Sequence, residues 1–294
     1  MVDNLDAMEE VNHDKRQRRY GAQDKDELIK IITKLHAEGF SQVEIAKKLD
    51  LSRGTILRWN KELHFFQPRT PGQAGKLKNK IYQYDEDYFK EIKTANQAYV
   101  VGFILGDGTI LDRGKSKRIN ITLAAKDYQL LKDIARELNM ENAVKFRKKC
   151  VINEQHKYSL VINSTKMAND LINLGITPNK TGKEQFIFFN DKELQWAFLR
   201  GFFDADGHIR VYKRNGYLKA RMGFTGNHEI LEDILIFLKT QGFARNVNSL
   251  TKKKGCSDLY LSSLRELKAI YPLLYQHGDI KLIRKYDIFS SLMR

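Results

Sequence analysis

Val100-Val101-Gly102-Phe103-Ile104-Leu105-Gly106-Asp107-Gly108 and Leu199-Arg200-Gly201-Phe202-Phe203-Asp204-Ala205-Asp206-Gly207 are the two stretches whose reading decides the fold. The second repeats the first at a constant offset of 99 residues: Gly102 to Gly201, Gly106 to Ala205, Asp107 to Asp206 and Gly108 to Gly207. Each reads as the end of a very apolar helix. Small residues four apart fall on one helix face, and a face without bulk lets two backbones approach closely. The remaining faces are apolar too, with Val100, Phe103 and Ile104 in one copy and Trp196, Phe198 and Phe203 in the other. Helices apolar nearly all round are buried. Gly108 and Gly207 are expected to be left-handed residues that stop them.

Asp107 and Asp206 then fall in the last turn of each helix, where the dipole disfavours another negative charge. If the helices pack side by side, the two carboxylates converge and repel unless one is protonated or a cation lies nearby. A hard divalent cation with oxygen ligands, Mg²⁺ first and Mn²⁺ as the alternative, would resolve the repulsion. Paired metal-bound carboxylates facing phosphates suit phosphodiester hydrolysis. A single copy would read as a buried helix closed by a polar turn; two copies one domain apart favour the paired site.

The pair of motifs resembles the two-motif LAGLIDADG homing endonucleases, over about residues 81–294. The resemblance implies that Asp107 and Asp206 bind metal, with Gly106 and Ala205 in the same metal-binding set. It implies that the motif helices form the interface between two pseudo-symmetric halves of one chain, which would act as a monomer. Leu105 departs from the family's Asp, whereas Asp204 keeps it, at a position outside the metal site. The family also places a basic residue beyond each half's closing helix, in transition-state stabilisation or in activating water. Lys180 fits the first half; in the second, Arg284-Lys285 fits and Lys285 is preferred. The implied activity is cleavage of both strands of a long specific DNA site, leaving 3′-hydroxyl overhangs.

Composition agrees with a polyanion partner. Lys+Arg number 51 against 36 Asp+Glu, a formal charge of +15. Residues 1–63 hold 12 basic and 12 acidic residues, so the whole excess lies on residues 64–294. Two cysteines, Cys150 and Cys256, are too few for a disulfide framework or a zinc ribbon. They fit a reducing, cytoplasmic setting, bacterial or phage-encoded, with an organelle left open. No apolar run reaches transmembrane length, and the acidic start resembles no signal or transit peptide.

Ahead of the motif body, residues 1–20 read as a polar, disordered tail and 21–63 as a small all-α unit. Leu28, Ile31, Ile32 and Leu35 recur at helix spacing. Ser41 with Glu44 is a capping box opening a second helix. Ser52 caps a third, which carries Ile56, Leu57 and Trp59. The phrase Glu44-Ile-Ala-Lys-Lys-Leu-Asp-Leu-Ser-Arg53 resembles the helix-turn-helix of resolvases and transposases. That resemblance points Arg53, Thr55, Arg58 and Asn60 at a DNA major groove; a helical protein-interaction bundle is the alternative. Residues 64–80, with Pro68, Pro71, Gly72 and Gly75, read as a linker.

The body reads as α+β, with halves at residues 81–188 and 189–294. Each is expected to run αββαββα, preceded in the chain by the helix-turn-helix unit. Ile119, Ile121 and Leu123 alternate with Arg118, Asn120 and Thr122, giving a strand with one apolar and one polar face. A basic strand over 144–149 puts Lys145, Arg147 and Lys149 on one face, and its counterpart is expected over 243–253. His208, Arg210, Tyr212 and Arg214 share a face of a strand that turns at Asn215-Gly216. Two antiparallel sheets side by side would form a saddle for the major groove, with Arg118, Asn120, Arg147, Arg210, Arg214 and Arg221 reaching base edges.

Two other functions fit the same charge. One is an RNA maturase of a group I intron. The other is a DNA-binding transcriptional regulator on this scaffold, which would be expected to have lost the acidic pair. Met1 in place of a splicing nucleophile, and an end without a His-Asn pair, argue against an intein.

Overall fold

The computed structural model describes residues 22–70, 82–149 and 154–294, and the chain divides between residues 81 and 82 into two compact units. The expected tail, most of the linker and Cys150 lie outside the described residues.

In the first unit, helix α1 spans Ala22–Ala37, α2 Gln42–Lys48 and α3 Arg53–Leu63. Both halves of the Ser41 capping box form: Ser41 Oγ accepts from Glu44 N at 3.2 Å, and Glu44 Oε2 accepts from Ser41 N at 2.7 Å. Ser52 caps α3 by accepting from Thr55 N at 3.0 Å. Ile32, Ile45, Ala46, Leu51, Ile56 and Trp59 make the core. Leu57 is 40% exposed, because an eleven-residue helix buries only the face carrying Ile56, Trp59 and Asn60. One expectation fails here. Residues 64–70 are not a free linker: Phe65 and Phe66 pack on this core. The Arg69 guanidinium donates to the carbonyls of His36, Gly39 and Phe40, which close α1.

The second unit is built from two repeats. In the first, α4 (Ala95–Asp107) runs into β1 (Gly108–Asp112) and β2 (Lys117–Ala124), followed by α5 (Tyr128–Glu137), β3 (Lys145–Arg147), β4 (Lys157–Ile162) and α6 (Thr165–Asn173). In the second, α7 (Lys192–Asp206) runs into β5 (Gly207–Arg214) and β6 (Tyr217–Gly226). Then come α8 (His228–Thr240), β7 (Thr251–Lys253), β8 (Cys256–Leu261), α9 (Leu264–Tyr275) and the added α10 (Ile283–Ser290). The strands make two four-stranded antiparallel sheets, ordered β1-β2-β4-β3 and β5-β6-β8-β7. Among the described residues no helix is long and apolar enough to cross a membrane.

Ile119, Ile121, Leu160 and Ile162 line the buried face of the first sheet, and Met222, Phe224, Leu259 and Leu261 that of the second. The basic strands are shorter than expected. β7 covers only Thr251–Lys253, because Ala244 takes a left-handed conformation (φ 54°) and its carbonyl accepts from Val247 N in a turn. Lys149 likewise falls beyond the end of β3. The Asn215-Gly216 turn has both residues at positive φ, 53° and 78°, as a two-residue hairpin requires.

The motif helices α4 and α7 pack backbone to backbone. A Cβ on Gly102 would lie 2.1 Å from Phe198 O, and one on Gly201 2.1 Å from Tyr99 O. Gly108 and Gly207 correct the sequence reading. Neither is left-handed: their φ values are −80° and −92°, in extended backbone. Glycine stands there for space, since a Cβ would lie 2.7 Å from Ile104 O or 2.5 Å from Phe203 O as the chain turns straight from helix into strand.

Candidate active site

Because α4 and α7 touch along their small faces, their C-terminal ends arrive together. A Cβ on Gly106 would lie 2.4 Å from Ala205 Cβ and 2.7 Å from Asp206 Oδ2. The Asp206 carboxylate therefore rests directly on the turn that carries Asp107. Asp107 is open to solvent and Asp206 half-buried, so both are reachable by a ligand. The surrounding protein raises the Asp107 carboxyl above its usual range, partly offset by the charges of Lys285 and Lys180. Asp206 is pushed up to about 6, first by burial and then by the Asp107 charge.

Lys180 and Lys285 stand one at each helix end. Lys180 Nζ donates to Gly106 O at 2.5 Å, one of its three donors. Lys285 Nζ donates to Phe203 O at 2.7 Å, Asp204 O at 2.8 Å and Gly207 O at 2.5 Å. An ammonium has three donors, and Lys285 uses all of them on carbonyls. Lys285 thereby fixes positive charge at the negative end of α7. Burial lowers the Lys180 pKa and brings Lys285 down to about 8. The Gly106 carbonyl, which accepts from Lys180, keeps a second lone pair. The neighbouring Arg284 turns away and pairs with Asp127 at 2.9 Å.

Among the described residues, no group of three or more His, Cys, Asp or Glu side chains is placed to hold a metal ion. Two carboxylates alone suit Mg²⁺, which is usually held by one or two of them with phosphate and water completing its shell. The converging carboxylates, both raised above their usual range, are the donor set that such an ion would stabilise.

Sequence reasoning passed over a buried network behind the site. The Asp204 carboxylate, pushed up to about 6 by burial, accepts at Oδ2 from Tyr99 Oη at 2.8 Å and from Leu282 N at 2.7 Å. Arg200 is fully buried, donates to Leu274 O at 3.0 Å and His277 O at 2.6 Å, and lies 5.0 Å over the Tyr99 ring. The signal was available: Arg200 and Asp204 stand where the first repeat has Val101 and Leu105.

The polar sheet faces carry most of the expected DNA-contact residues. Arg118 and Asn120 alternate with buried Ile119 and Ile121 and are half-buried. Lys145 and Arg147 share the outer face of β3, where Arg147 Nε donates to Ser159 Oγ at 2.6 Å. His208, Arg210, Tyr212 and Arg214 lie on one face of β5, opposite Gly223, Arg221, Lys219 and Tyr217. In the helical unit, Arg53 and Arg58 are exposed. Thr55 is turned into the cap, 2.8 Å from Ser52 Oγ. Asn60 is 7% exposed and accepts from Phe66 N at 2.9 Å, so it holds the following chain and does not face outward.

Comparison with known proteins bears on these motifs. Residues 193–274 match the family of LAGLIDADG-like domains. That span contains α7 from its second residue, with Asp206, and the whole second sheet. The chain is 26% identical over 226 residues to the ribonucleoside-diphosphate reductase NrdEB subunit alpha of Bacillus subtilis, covering 68% of this chain and 21% of that one. An uncharacterized protein of Methanocaldococcus jannaschii is 24% identical over 181 residues, covering 59% and 20%. The chain thus spans about a fifth of the length of the curated relatives it matches. Among solved structures, it is similar to the LAGLIDADG meganuclease I-AabMI bound to uncleaved DNA, at 13% identity, TM-score 0.45, and coverage of 66% and 88%. It is similar to I-SmaMI bound to an uncleaved DNA target, at 12% identity, TM-score 0.47, and coverage of 67% and 88%.

Proposed function

We propose that this protein is a site-specific, Mg²⁺-dependent endonuclease of the homing type that cuts both strands of double-stranded DNA and leaves 3′-hydroxyl overhangs. One observation carries the reading: Asp107 and Asp206, 99 residues apart in sequence, meet at the touching ends of two helices. Both carboxyls are raised, Asp206 in part by the Asp107 charge, and converging carboxylates need a cation to stay charged together. Asp107 and Asp206 would hold Mg²⁺, or Mn²⁺ in its place. When bound, the ion would neutralise the pair and supply an activated water and charge stabilisation at the phosphate.

The chain's own groups do the rest. Lys180 keeps two N–H donors beyond its bond to Gly106 O and can present positive charge to a phosphate oxygen. Lys285 holds the end of α7, and with it the place of Asp206. Arg118, Arg147, Arg210 and Arg221 offer donors to the duplex from the polar faces of the two sheets. One chain supplies both repeats, so the protein acts as a monomer. Its helical unit serves as a helix-turn-helix that adds contacts through Arg53 and Arg58.

A plasmid-cleavage assay with Mg²⁺, on targets selected from a randomised library and set beside an intron-splicing assay, tests the proposal. Linearised plasmid with 3′-hydroxyl ends supports it. Splicing without cleavage would assign the site to RNA, and specific binding without either would leave a regulator.

A further inference from the structure

The two repeats can be set side by side from their own hydrogen-bond registers. Gly108 pairs with Ile121 and Gly207 with Phe224, so Arg118 and Arg221 hold the same place, three residues earlier on β2 and β6. On the next strand Val161, beside Asn120, corresponds to Tyr260, beside Gly223. Ser159, beside Thr122, corresponds to Asp258, beside Thr225. The surroundings of the two arginines therefore differ, although the backbone does not.

In the second repeat the Arg221 guanidinium lies 5.0 Å over the Tyr260 ring. The His208 ring closes against the same tyrosine, edge to face, at 5.4 Å. Gly223 makes room for it, since a Cβ there would lie 2.5 Å from the imidazole. The Tyr260 hydroxyl donates to Asp258 Oδ2, which also meets Lys253 Nζ, while Thr225 Oγ1 donates to Asp258 Oδ1 at 2.7 Å. The Asp258 side chain is wholly covered although it lies on the polar face of the sheet. A carboxylate with every oxygen engaged fixes the groups around it. Here those groups are a tyrosine and, stacked on that tyrosine, an exposed arginine.

Directly across from Arg221 stands Arg210, itself 5.4 Å over the Tyr212 ring. Like charges opposite each other on one sheet face repel. Two guanidinium groups held there on separate rings are arranged to receive acceptors from outside. In the first repeat, Leu111 stands across from Arg118, and Val161 offers it no ring.

We infer that Asp258 is a positioning residue which, through Tyr260, holds Arg221 as a guanine reader, so that the second repeat imposes the stricter base requirement. The inference rests on the duplex-binding reading above. An arginine already held loses less freedom on engaging a base than a free one. Its planar fork matches guanine O6 and N7 in the major groove. Arg221 sits on β6, an inner strand of the sheet, and so faces the groove floor more than the phosphates at its rim. Lys253, on the edge strand, has its charge matched by Asp258.

The test is binding selection of the full-length protein on a randomised duplex library, with base preference read at every position. Wild type is compared with Arg221→Ala, Tyr260→Phe and Asp258→Asn. Arg221→Ala should relax a guanine requirement at one position by roughly 10–100-fold. Asp258→Asn and Tyr260→Phe should relax the same position several-fold while preferences elsewhere and affinity for random duplex hold. A variant that merely unfolds lowers all of these together. Retention of the guanine preference in Asp258→Asn, or no single position lost in Arg221→Ala, overturns this inference alone. A wild-type chain that selects no duplex overturns it together with the duplex-binding reading.

Discussion

Tyr99 donates its phenolic hydrogen to Asp204 Oδ2 at 2.8 Å, across the seam between the two motif helices. The bond joins the first repeat to the second, and the same oxygen accepts from Leu282 N, which leads into α10 and Lys285. Tyr99→Phe would leave a buried carboxylate with one partner fewer. Its expected loss of stability is about 1–3 kcal/mol, read by urea unfolding as a lower midpoint at unchanged slope. An unchanged midpoint would mean that the bond adds nothing to the seam.

The glycines of the seam should separate by cause. Gly102→Ala places a methyl group 2.1 Å from a backbone carbonyl that cannot move without parting the helices. Gly102→Ala should cost about 3 kcal/mol or more, enough to lower the yield of folded protein. Gly114→Ala meets nothing within 4 Å, and its only penalty is a φ of +74°. Its loss should stay near 1 kcal/mol, about the cost of a left-handed residue with a side chain. Thermal melts of the two variants order them; a Gly102→Ala protein as stable as wild type would remove the close-packed seam from the fold.

The seam itself was legible in the sequence, because small residues four apart in an apolar helix have few other uses. Why a glycine stands at a given place was not. Gly108 and Gly175 look alike in sequence, yet one answers to crowding by Ile104 and the other to a φ of +105°. Crowding is a tertiary fact. Phe65 and Phe66 were hidden in the same way, since prolines and basic residues around them spell a linker while the rings pack on the helical core. Asn60 has the chemistry of a base reader, and only the path of Phe66 turns it inward. Asp258, one acid in a basic stretch, reads as surface until the register sets it beside Thr225.

Replacing the paired carboxylates should trade stability for function. Asp107→Asn and Asp206→Asn are expected to abolish double-strand cleavage and leave specific binding intact, because each carboxylate is assigned to metal and not to base reading. Retained cutting of both strands by either variant would overturn the assignment. Asp206 is also raised to about 6 from an ordinary 3.8. The native protein then binds more protons than the unfolded chain between about pH 4 and 6, so this group's contribution to stability falls as pH rises through that window. Above it, Asp206→Asn should unfold later than the metal-free wild type, by on the order of 1–3 kcal/mol. Added Mg²⁺ should stabilise wild type and not the variant, since an ion that binds only the native state raises its stability. Thermal melts at pH 4 and 7.5, with and without Mg²⁺, read all three effects.

Binding should depend steeply on salt, and the dependence should come mostly from residues 64–294. The whole +15 lies on residues 64–294, whereas residues 1–63 are balanced. Contact with about 6–10 phosphates gives a log–log salt slope of roughly −5 to −9. Lys145 and Lys149 are exposed, one on β3 and one just past its end. Replacing both should reduce the slope by about 1–2 on specific and random DNA alike. Lys253 is exposed too, but its ammonium meets the covered Asp258 carboxylate. A charge already matched in the free protein releases fewer counterions on binding, so Lys253→Ala should move the slope by less than either lysine of the first repeat. Deleting residues 1–70, which removes the helical unit with the Phe65 and Phe66 segment packed on it, should weaken specific binding while leaving most of the slope. Salt titrations of these three variants against wild type decide the matter. A slope that disappears with residues 1–70 would move the duplex from the polar sheet faces to the helical unit.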